Sequence, residues 1–180
     1  MLDRSKTAVV AIDFQDRLLP AMNSEEQVIS ETIKLIKGVE MLGVPHVFTQ
    51  QYTKGLGETN SEIKGAVSGE FSHVEKTSFS AYGTPEFVEK IERLDRRQIV
   101  LCGVETHVCV MQTALDLLEA GYEVYLVTDC VSSRKESDEI ISLERMKEAG
   151  AIITTSETVL FEMLRGAKEE GFKEISNLVK

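Results

Sequence analysis

Long apolar runs are missing from this sequence. The longest purely apolar stretches, such as residues 8–12, fall far short of the ~20 residues that a membrane-spanning helix needs. The amino terminus, MLDRSKTAVV, also lacks the extended apolar segment of a secretion signal. From these two absences we expect a cytoplasmic protein.

Positive charge is in short supply as well. Against 30 Asp+Glu residues the chain has only 20 Lys+Arg, which leaves a formal net charge of −10 at pH 7. A field of this sign repels the phosphates of nucleic acids and the head groups of anionic lipids. Neither nucleic acid nor a membrane is therefore expected as a partner.

Cysteine is scarce, with three residues in a chain of 180. An odd number in a chain of ordinary size argues against a disulfide framework and favours reduced thiols. The chain does not need such bonds, because folding at this length removes roughly 70% of the surface of the extended chain from water. We expect residues 1–180 to form one domain with its own core.

What the sequence does contain is a regular alternation of strand and helix patterns. Apolar, β-branched runs alternate with segments in which apolar residues recur at helical spacing. The predicted strands are residues 7–14, 45–49, 98–103, 123–130 and 151–155, and the predicted helices are residues 23–42, 84–94, 108–120, 137–150 and one or two within 156–180. Short turns between them imply βαβ units. The expected fold class is α/β, a three-layer α/β/α sandwich with a mostly parallel central sheet.

Three polar residues follow predicted strands or loops, where open α/β sheets bind their ligands. Asp13 closes the first strand, Lys76 follows a long loop, and Cys109 lies at the start of a helix. The helix macrodipole and a nearby ammonium would lower the pKa of such a cysteine toward the reactive thiolate. Simpler interpretations remain open: a strand-end cap, a surface cation and a small buried apolar side chain.

The segments VVAIDFQ, EKTSFSAY and GVETHVCV occur in this order along the chain. Together they resemble the three signature segments of the isochorismatase-like cysteine hydrolases, and TQQYTKGLG and DCVSSR resemble the compact isochorismatase-domain branch of that superfamily. The resemblance spans nearly the whole chain, and it implies a Rossmann-like sheet and a homo-oligomer. It also implies a catalytic triad of Asp13, Lys76 and Cys109.

The resemblance further implies how the surroundings of the cysteine are built. A cis peptide bond is expected between Val104 and Glu105, neither of which is proline. The amides of Glu105 and Cys109 would then form an oxyanion hole, in which backbone N–H groups stabilise the negative charge of a reaction intermediate.

Metal ligands are missing where related enzymes carry them. Nicotinamidases of this superfamily have an Asp-x-His metal motif after the second strand, whereas this chain has QQYT at residues 50–53. The three histidines are far apart in the sequence, and none pairs with another at metal-ligand spacing: His46, His73 and His107. We expect no metal and no other cofactor, and nicotinamide is disfavoured as the substrate. Because isochorismatases proper generally lack the cysteine, Cys109 also disfavours vinyl-ether hydrolysis.

The substrate pocket is expected beside these motifs. Residues 50–69 carry four glycines and little periodicity, and so long an irregular segment inside a compact domain is usually a functional loop. Five residues adjacent to the motifs are candidates to line the pocket, with core or interface packing as the alternative for the aromatic ones. These candidates are Phe14, Gln15, Tyr52, Phe79 and Tyr82.

These features lead to one main hypothesis and two alternatives. The main hypothesis is a metal-independent cysteine hydrolase that cleaves a non-peptide amide or related C–N bond of a small-molecule substrate, through the triad and a thioester intermediate. The first alternative is a non-catalytic ligand-binding or protein-interaction module that retains the hydrolase fold. The second is a thiol redox sensor, which would need Cys102 or Cys130 beside Cys109.

Overall fold

The computed structural model describes residues 1–180 and contains one sheet of six strands. In chain order the strands are β1 (Thr7–Ile12), β2 (His46–Gln51), β3 (His73–Lys76), β4 (Gln98–Val104), β5 (Glu123–Ser132) and β6 (Ile152–Thr154). Their order across the sheet is β3-β2-β1-β4-β5-β6, and every pairing is parallel. All residues of β1 and β4 are buried, as expected for central strands covered on both faces.

Eight α-helices accompany the strands. They are α1 (Glu25–Met41), α2 (Thr53–Leu56), α3 (Ser61–Lys64), α4 (Pro85–Leu94), α5 (Met111–Glu119), α6 (Glu136–Glu148), α7 (Ser156–Leu164) and α8 (Phe172–Leu178). Local sequence explains several helix starts. Pro85 lies in the first turn of α4, where an N–H would have no helical partner, and the Thr155 side chain accepts the Thr158 amide before α7. None of the helices has both the length and the apolar character required to cross a bilayer.

The helices cover both faces of the sheet. On one face α1, α7 and α8 pack against the strands in an apolar cluster that includes Leu35 and Val159. On the other face α4, α5 and α6 bury a second cluster that includes Phe87, Leu117 and Met146. The predicted three-layer α/β/α sandwich with a Rossmann-like sheet is therefore confirmed.

The strand order reverses at β1, which pairs with β2 on one side and with β4 on the other. The chain leaves β1 through α1 on one face of the sheet, whereas it enters β4 from α4 on the opposite face. Such a reversal opens a crevice beyond the carboxyl ends of the two strands, where ligands bind in open α/β sheets. Residues that directly follow β1 and β4 lie at this crevice.

Two parts of the chain depart from the sequence expectation. One is β3, which is not among the predicted strands. Residues 50–69, predicted to be irregular, instead complete β2 and form the single-turn helices α2 and α3. The reason is local, because the Asn60 side chain accepts the amides of Glu62 and Ile63 and so starts α3 without any repeating apolar pattern.

Candidate active site

Asp13 directly follows β1, and its side chain is completely buried. Its backbone takes the left-handed conformation, with φ of 51°, which is uncommon outside glycine and turns the chain sharply at the end of the strand. The Thr49 hydroxyl on neighbouring β2 donates a 2.7 Å hydrogen bond to Asp13 Oδ1. One carboxylate oxygen is thus held by the sheet itself.

Lys76 is the last residue of β3, and its ammonium lies 2.7 Å from Asp13 Oδ2. Both side chains are fully shielded from water. The ammonium also donates to Gln51 Oε1 at 2.7 Å and to the carbonyls of Phe79 and Ser78 at 3.0 and 3.2 Å. A buried ion pair is tolerated only when its remaining polar atoms have partners, and these three acceptors supply them for Lys76.

Asp13 Oδ2 is the exception in this arrangement. Its 2.7 Å contact with the Lys76 ammonium is not aligned as a hydrogen bond, and the Cys109 thiol is the other donor beside the Asp13 carboxylate. A buried acceptor without an aligned donor is unusual in folded proteins. Here it leaves a carboxylate oxygen able to accept a proton from a neighbouring group.

Cys109 lies in a π-helical turn, Thr106–Val110, between β4 and α5, and only 6% of its surface is exposed. Burial raises the pKa of the Cys109 thiol to about 12, and the Asp13 carboxylate adds to this effect while the Lys76 ammonium opposes it. The expectation of a lowered pKa was therefore wrong. Its physical reason is that desolvation and the carboxylate outweigh the ammonium, so the resting group is a protonated thiol beside a base.

The backbone before Cys109 supplies a free donor. The Val104–Glu105 peptide bond is cis. The Glu105 amide donates no hydrogen bond within the chain. A free backbone N–H in the turn that carries the cysteine is the kind of donor that an oxyanion hole requires.

A close approach between β1 and β4 brings Asp13 near the turn that carries Cys109. Gly103, the residue of β4 that pairs with Ile12, has φ of 138°. A Cβ atom at this position would lie 2.3 Å from the Ile12 carbonyl oxygen, so only glycine fits. Sequence reasoning missed this residue, and its only signal was a glycine at the end of a buried strand.

Two of the predicted pocket residues have structural roles instead. Phe14 has no exposed surface and packs in the core on the α1 side of the sheet. Gln15 is equally buried, and its side chain bonds only to backbone: Oε1 accepts the Gln51 amide at 2.7 Å, and Nε2 donates to the carbonyls of Gln51 and Gly57 at 3.0 and 2.7 Å. Because every polar atom of this amide is used, Gln15 fixes the segment after β2 and has no group left for a ligand.

The three aromatic candidates are separated in the structure. Tyr52 and Phe79 are 52% and 54% exposed and flank Lys76: the Tyr52 amide donates to the Lys76 carbonyl, and the Phe79 carbonyl accepts from its ammonium. Tyr82 instead packs against Tyr122 beside α4 and α5, with ring centroids 6.4 Å apart. For Tyr82 the structure shows the packing alternative, a contact between helices, and its place in the substrate pocket stays a prediction.

The other two cysteines lie on the opposite side of the sheet from the candidate site. Cys102 and Cys130 are fully buried in the cluster under α1, whereas Cys109 belongs to the cluster under α5. Burial raises the pKa of both thiols well above the usual range. Because the sheet separates these two thiols from Cys109, neither can act as its resolving cysteine, which disfavours the redox-sensor alternative.

The histidines do not converge. His46 contacts Glu40 at 2.9 Å, His73 lies near Glu75, and His107 contacts the Ser133 hydroxyl at 2.9 Å. No group of three or more His, Cys, Asp or Glu side chains is arranged to hold a metal ion.

Comparison with known proteins identifies the family. A family model described as the Isochorismatase domain matches residues 7–158. Over 179 residues the chain is 38% identical to Isochorismatase domain-containing protein 2 of Xenopus laevis, and the match covers 99% of this chain and 85% of the relative.

Two solved structures have the same fold. The MAR1 ribonuclease of Caenorhabditis elegans is 32% identical with a TM-score of 0.94, over 99% of this chain and 91% of that chain. YcaC from Pseudomonas aeruginosa, solved with hexane-2,5-diol and covalent acrylamide, is 25% identical with a TM-score of 0.90, over 99% and 95% of the two chains. Because the family model and these relatives extend over most of its length, the chain belongs to the isochorismatase family of hydrolases.

Proposed function

We propose that this protein is a cysteine hydrolase that cleaves a small amide or related non-peptide C–N bond, with Asp13, Lys76 and Cys109 as its catalytic residues. The observation that carries the proposal is the buried Asp13–Lys76 ion pair, whose Oδ2 atom has no aligned donor, next to a thiol whose pKa the carboxylate raises. A buried charged pair is costly for stability, and such pairs concentrate at functional sites.

In the first half-reaction the amide is broken. Asp13 Oδ2 takes the Cys109 proton as the sulfur attacks the carbonyl carbon, and the carbonyl electron pair moves to oxygen. The free Glu105 amide stabilises that oxyanion, with the Cys109 amide as the second donor that the family resemblance implies. As the carbonyl re-forms, the C–N bond breaks and Asp13 returns the proton to the leaving nitrogen. The products are ammonia or an amine, and a thioester on Cys109.

In the second half-reaction the thioester is hydrolysed. Asp13 takes a proton from water, whose oxygen attacks the thioester carbon, and the same amides stabilise the new oxyanion. The C–S bond then breaks, the sulfur recovers the proton from Asp13, and the carboxylic acid leaves. Lys76 keeps its charge throughout and stabilises the carboxylate form of Asp13 between proton transfers.

The proposal includes no metal or other cofactor. It treats residues 1–180 as one hydrolase domain, because both apolar clusters pack on the same six-stranded sheet. Three free thiols favour a reducing compartment such as the cytoplasm. The exposed rings of Tyr52 and Phe79 beside the site favour a homo-oligomer, which sedimentation of the purified protein tests.

The test is a screen of small amides and carbamoyl compounds for ammonia release, with mass spectrometry of the protein during turnover. We expect an acyl adduct on Cys109 and loss of turnover in Cys109→Ala, with substrate affinity nearly unchanged. Cys102→Ala is the matched control, because it removes a buried thiol from the same strand–turn region but from the other face of the sheet. Equal residual activity in the two folded variants would reject the cysteine mechanism. Ligand binding without turnover by the wild type would favour the non-catalytic module.

Ribonuclease activity is a second candidate, favoured by the 32% identity to the MAR1 ribonuclease of Caenorhabditis elegans. The net charge of −10 opposes the approach of a polyanion, and the proposed triad is almost completely buried. We expect no cleavage of a labelled single-stranded RNA. Cleavage that is lost in Cys109→Ala but retained in Cys102→Ala would establish RNA, rather than a small amide, as the substrate.

A further inference from the structure

The connection between β5 and α6, residues 133–135, makes two side-chain contacts with the turn that carries the proposed nucleophile. Arg134 Nε donates to Glu105 Oε2 at 2.7 Å. The Ser133 hydroxyl lies 2.9 Å from His107 Nδ1. Glu105 carries the free amide, and His107 is two residues before Cys109. Both contacts therefore hold side chains of the segment that runs from the oxyanion donor to the sulfur.

The connection is itself well anchored, so it can serve as a fixed support. Ser133 is completely buried, and both of its backbone polar groups are bonded. Its N–H donates to Glu139 Oε2 at 3.1 Å, and its carbonyl accepts the backbone N–H of Asn23 at 3.0 Å. The hydroxyls of Ser24 and Ser132 are 3.0 Å apart and tie the end of β5 to the segment before α1. Contacts with α6 and with the segment before α1 hold this short connection in place.

The Glu105–Arg134 pair is poorly placed to serve stability. The Arg134 side chain is 61% exposed, and half-exposed ion pairs contribute little to the free energy of folding. The Glu105 side chain, in contrast, is only 13% exposed, so its carboxylate is held at one place above the turn. The contact adds little to the free energy of folding, but it fixes Glu105, the residue with the free amide. It is therefore better suited to holding that amide in position.

We propose that Arg134 and Ser133 are positioning residues, which hold the Glu105 amide and the Cys109 turn in the geometry that the tetrahedral intermediate requires. The inference rests on the proposed function and adds to it a support in the β5–α6 connection that neither the triad nor the oxyanion amides include. It follows that disturbing this support should slow carbonyl chemistry while substrate binding is kept.

The main variant is Arg134→Gln, with Arg134→Lys as the conservative replacement and Arg93→Gln as the matched control. Arg93 makes the same type of pair with Glu89, at 3.2 Å, but on the outer face of α4. We expect Arg134→Gln to lower kcat by about 10- to 100-fold with KM nearly unchanged, because a displaced oxyanion donor acts mainly on the transition state. Arg134→Lys should recover most of the loss, since its ammonium reaches beyond the position of Arg134 Nε. Equal kcat in Arg134→Gln and Arg93→Gln would overturn the proposal.

A second measurement separates the oxyanion amide from the sulfur. Alkylation of Cys109 by iodoacetamide displaces iodide and forms no oxyanion, so Arg134→Gln should alkylate at nearly the wild-type rate even though its kcat falls. Glu105→Gln should match Arg134→Gln in kcat, and the double variant should be no slower than either single one, because both changes remove the same contact. Multiplied losses in the double variant would show that Arg134 acts independently of Glu105 and would overturn the positioning role.

A third measurement does not depend on turnover. Amide hydrogen exchange across residues 105–110 should become at least several-fold faster in Arg134→Gln and in Ser133→Ala than in Arg93→Gln. If the wild type cleaves no amide, the proposed function fails, and this exchange still decides whether the β5–α6 connection holds the turn. Unchanged exchange in both variants would overturn the inference whatever the activity.

Discussion

The interior of the sheet and its carboxyl edge are equally buried, but burial has opposite effects on the free energy of folding in the two regions. Along β1 and β4 the hidden side chains are mostly apolar, and removing them from water stabilises the fold. At the edge, the charged side chains of Asp13 and Lys76 are buried just as completely, and one oxygen of the Asp13 carboxylate has no aligned donor. Burial there costs free energy, so the edge is stable only because the interior compensates for it.

The largest expected effect comes from breaking the charge pair at the edge. Lys76→Met leaves the Asp13 carboxylate buried without a counter-charge and should lower the free energy of unfolding by about 3 to 5 kcal/mol. Lys34→Met is the matched control, because the Lys34–Glu31 pair has the same 2.7 Å separation but is partly exposed. It should cost less than ~1 kcal/mol. Urea denaturation of the two variants measures the difference, and similar losses would contradict the contrast between the regions.

A companion variant sharpens this point. Adding Asp13→Asn to Lys76→Met removes the uncompensated charge and should restore much of the lost stability, although it cannot restore turnover. A double variant that is less stable than Lys76→Met would mean that the carboxylate is not the source of the cost.

The next effect concerns the boundary between the two regions. Gly103→Ala should lower the free energy of unfolding by about 2 to 4 kcal/mol, because a methyl group would meet the Ile12 carbonyl and the backbone conformation is unfavourable. Gly121→Ala tests conformation alone, since Gly121 has φ of 89° but no atom within 4 Å of a Cβ. That variant should cost about 1 kcal/mol. Equal midpoints in thermal or urea unfolding would argue against the close approach of β1 and β4.

Alkaline pH should affect thiols of both regions in the same direction. Burial raises the pKa of Cys109 from 9.0 to about 12, so the folded protein keeps a proton that the unfolded chain releases above pH 9. This contribution to stability is complete below pH 9 and is lost as the pH rises toward 12, by roughly 1 kcal/mol at pH 10. Cys109→Ala and Cys102→Ala should each flatten the fall in urea midpoint between about pH 8 and 10. A fall as steep in Cys109→Ala as in the wild type would contradict the raised pKa.

The smallest expected effect belongs to the interior thiol. Cys102 packs in the core and donates only a weak 3.6 Å contact to the Val10 carbonyl. Cys102→Ala should cost about 1 kcal/mol at neutral pH and leave turnover within about twofold of the wild type. A large loss of activity would mean that the functional region extends across the sheet, and it would contradict the separation of the interior from the carboxyl edge.

The fold could be predicted further than the site. Apolar runs, helix caps and glycine stops are local signals, and they placed the long helices and every strand except β3 within a few residues. Strand order then put Asp13 and Cys109 at the same edge. The pKa of Cys109 could not be predicted, because its burial is created by elements that are distant in the sequence. Gln51 escaped notice for a similar reason, since its contact with Lys76 depends on the register of β2 against β3.

The buried amide of Gln15 has a consequence for how this family can change over time. It holds the segment after β2 only through backbone atoms, the N–H and carbonyl of Gln51 and the carbonyl of Gly57. Such bonds are indifferent to which side chains the segment carries. An exposed position such as Lys54, whose side chain takes part in none of these bonds, can therefore be exchanged by mutation while the path of the chain beside Lys76 is kept. A change there leaves the Asp13–Lys76 pair in place, so the substrate preference can vary while the chemistry proposed above is kept.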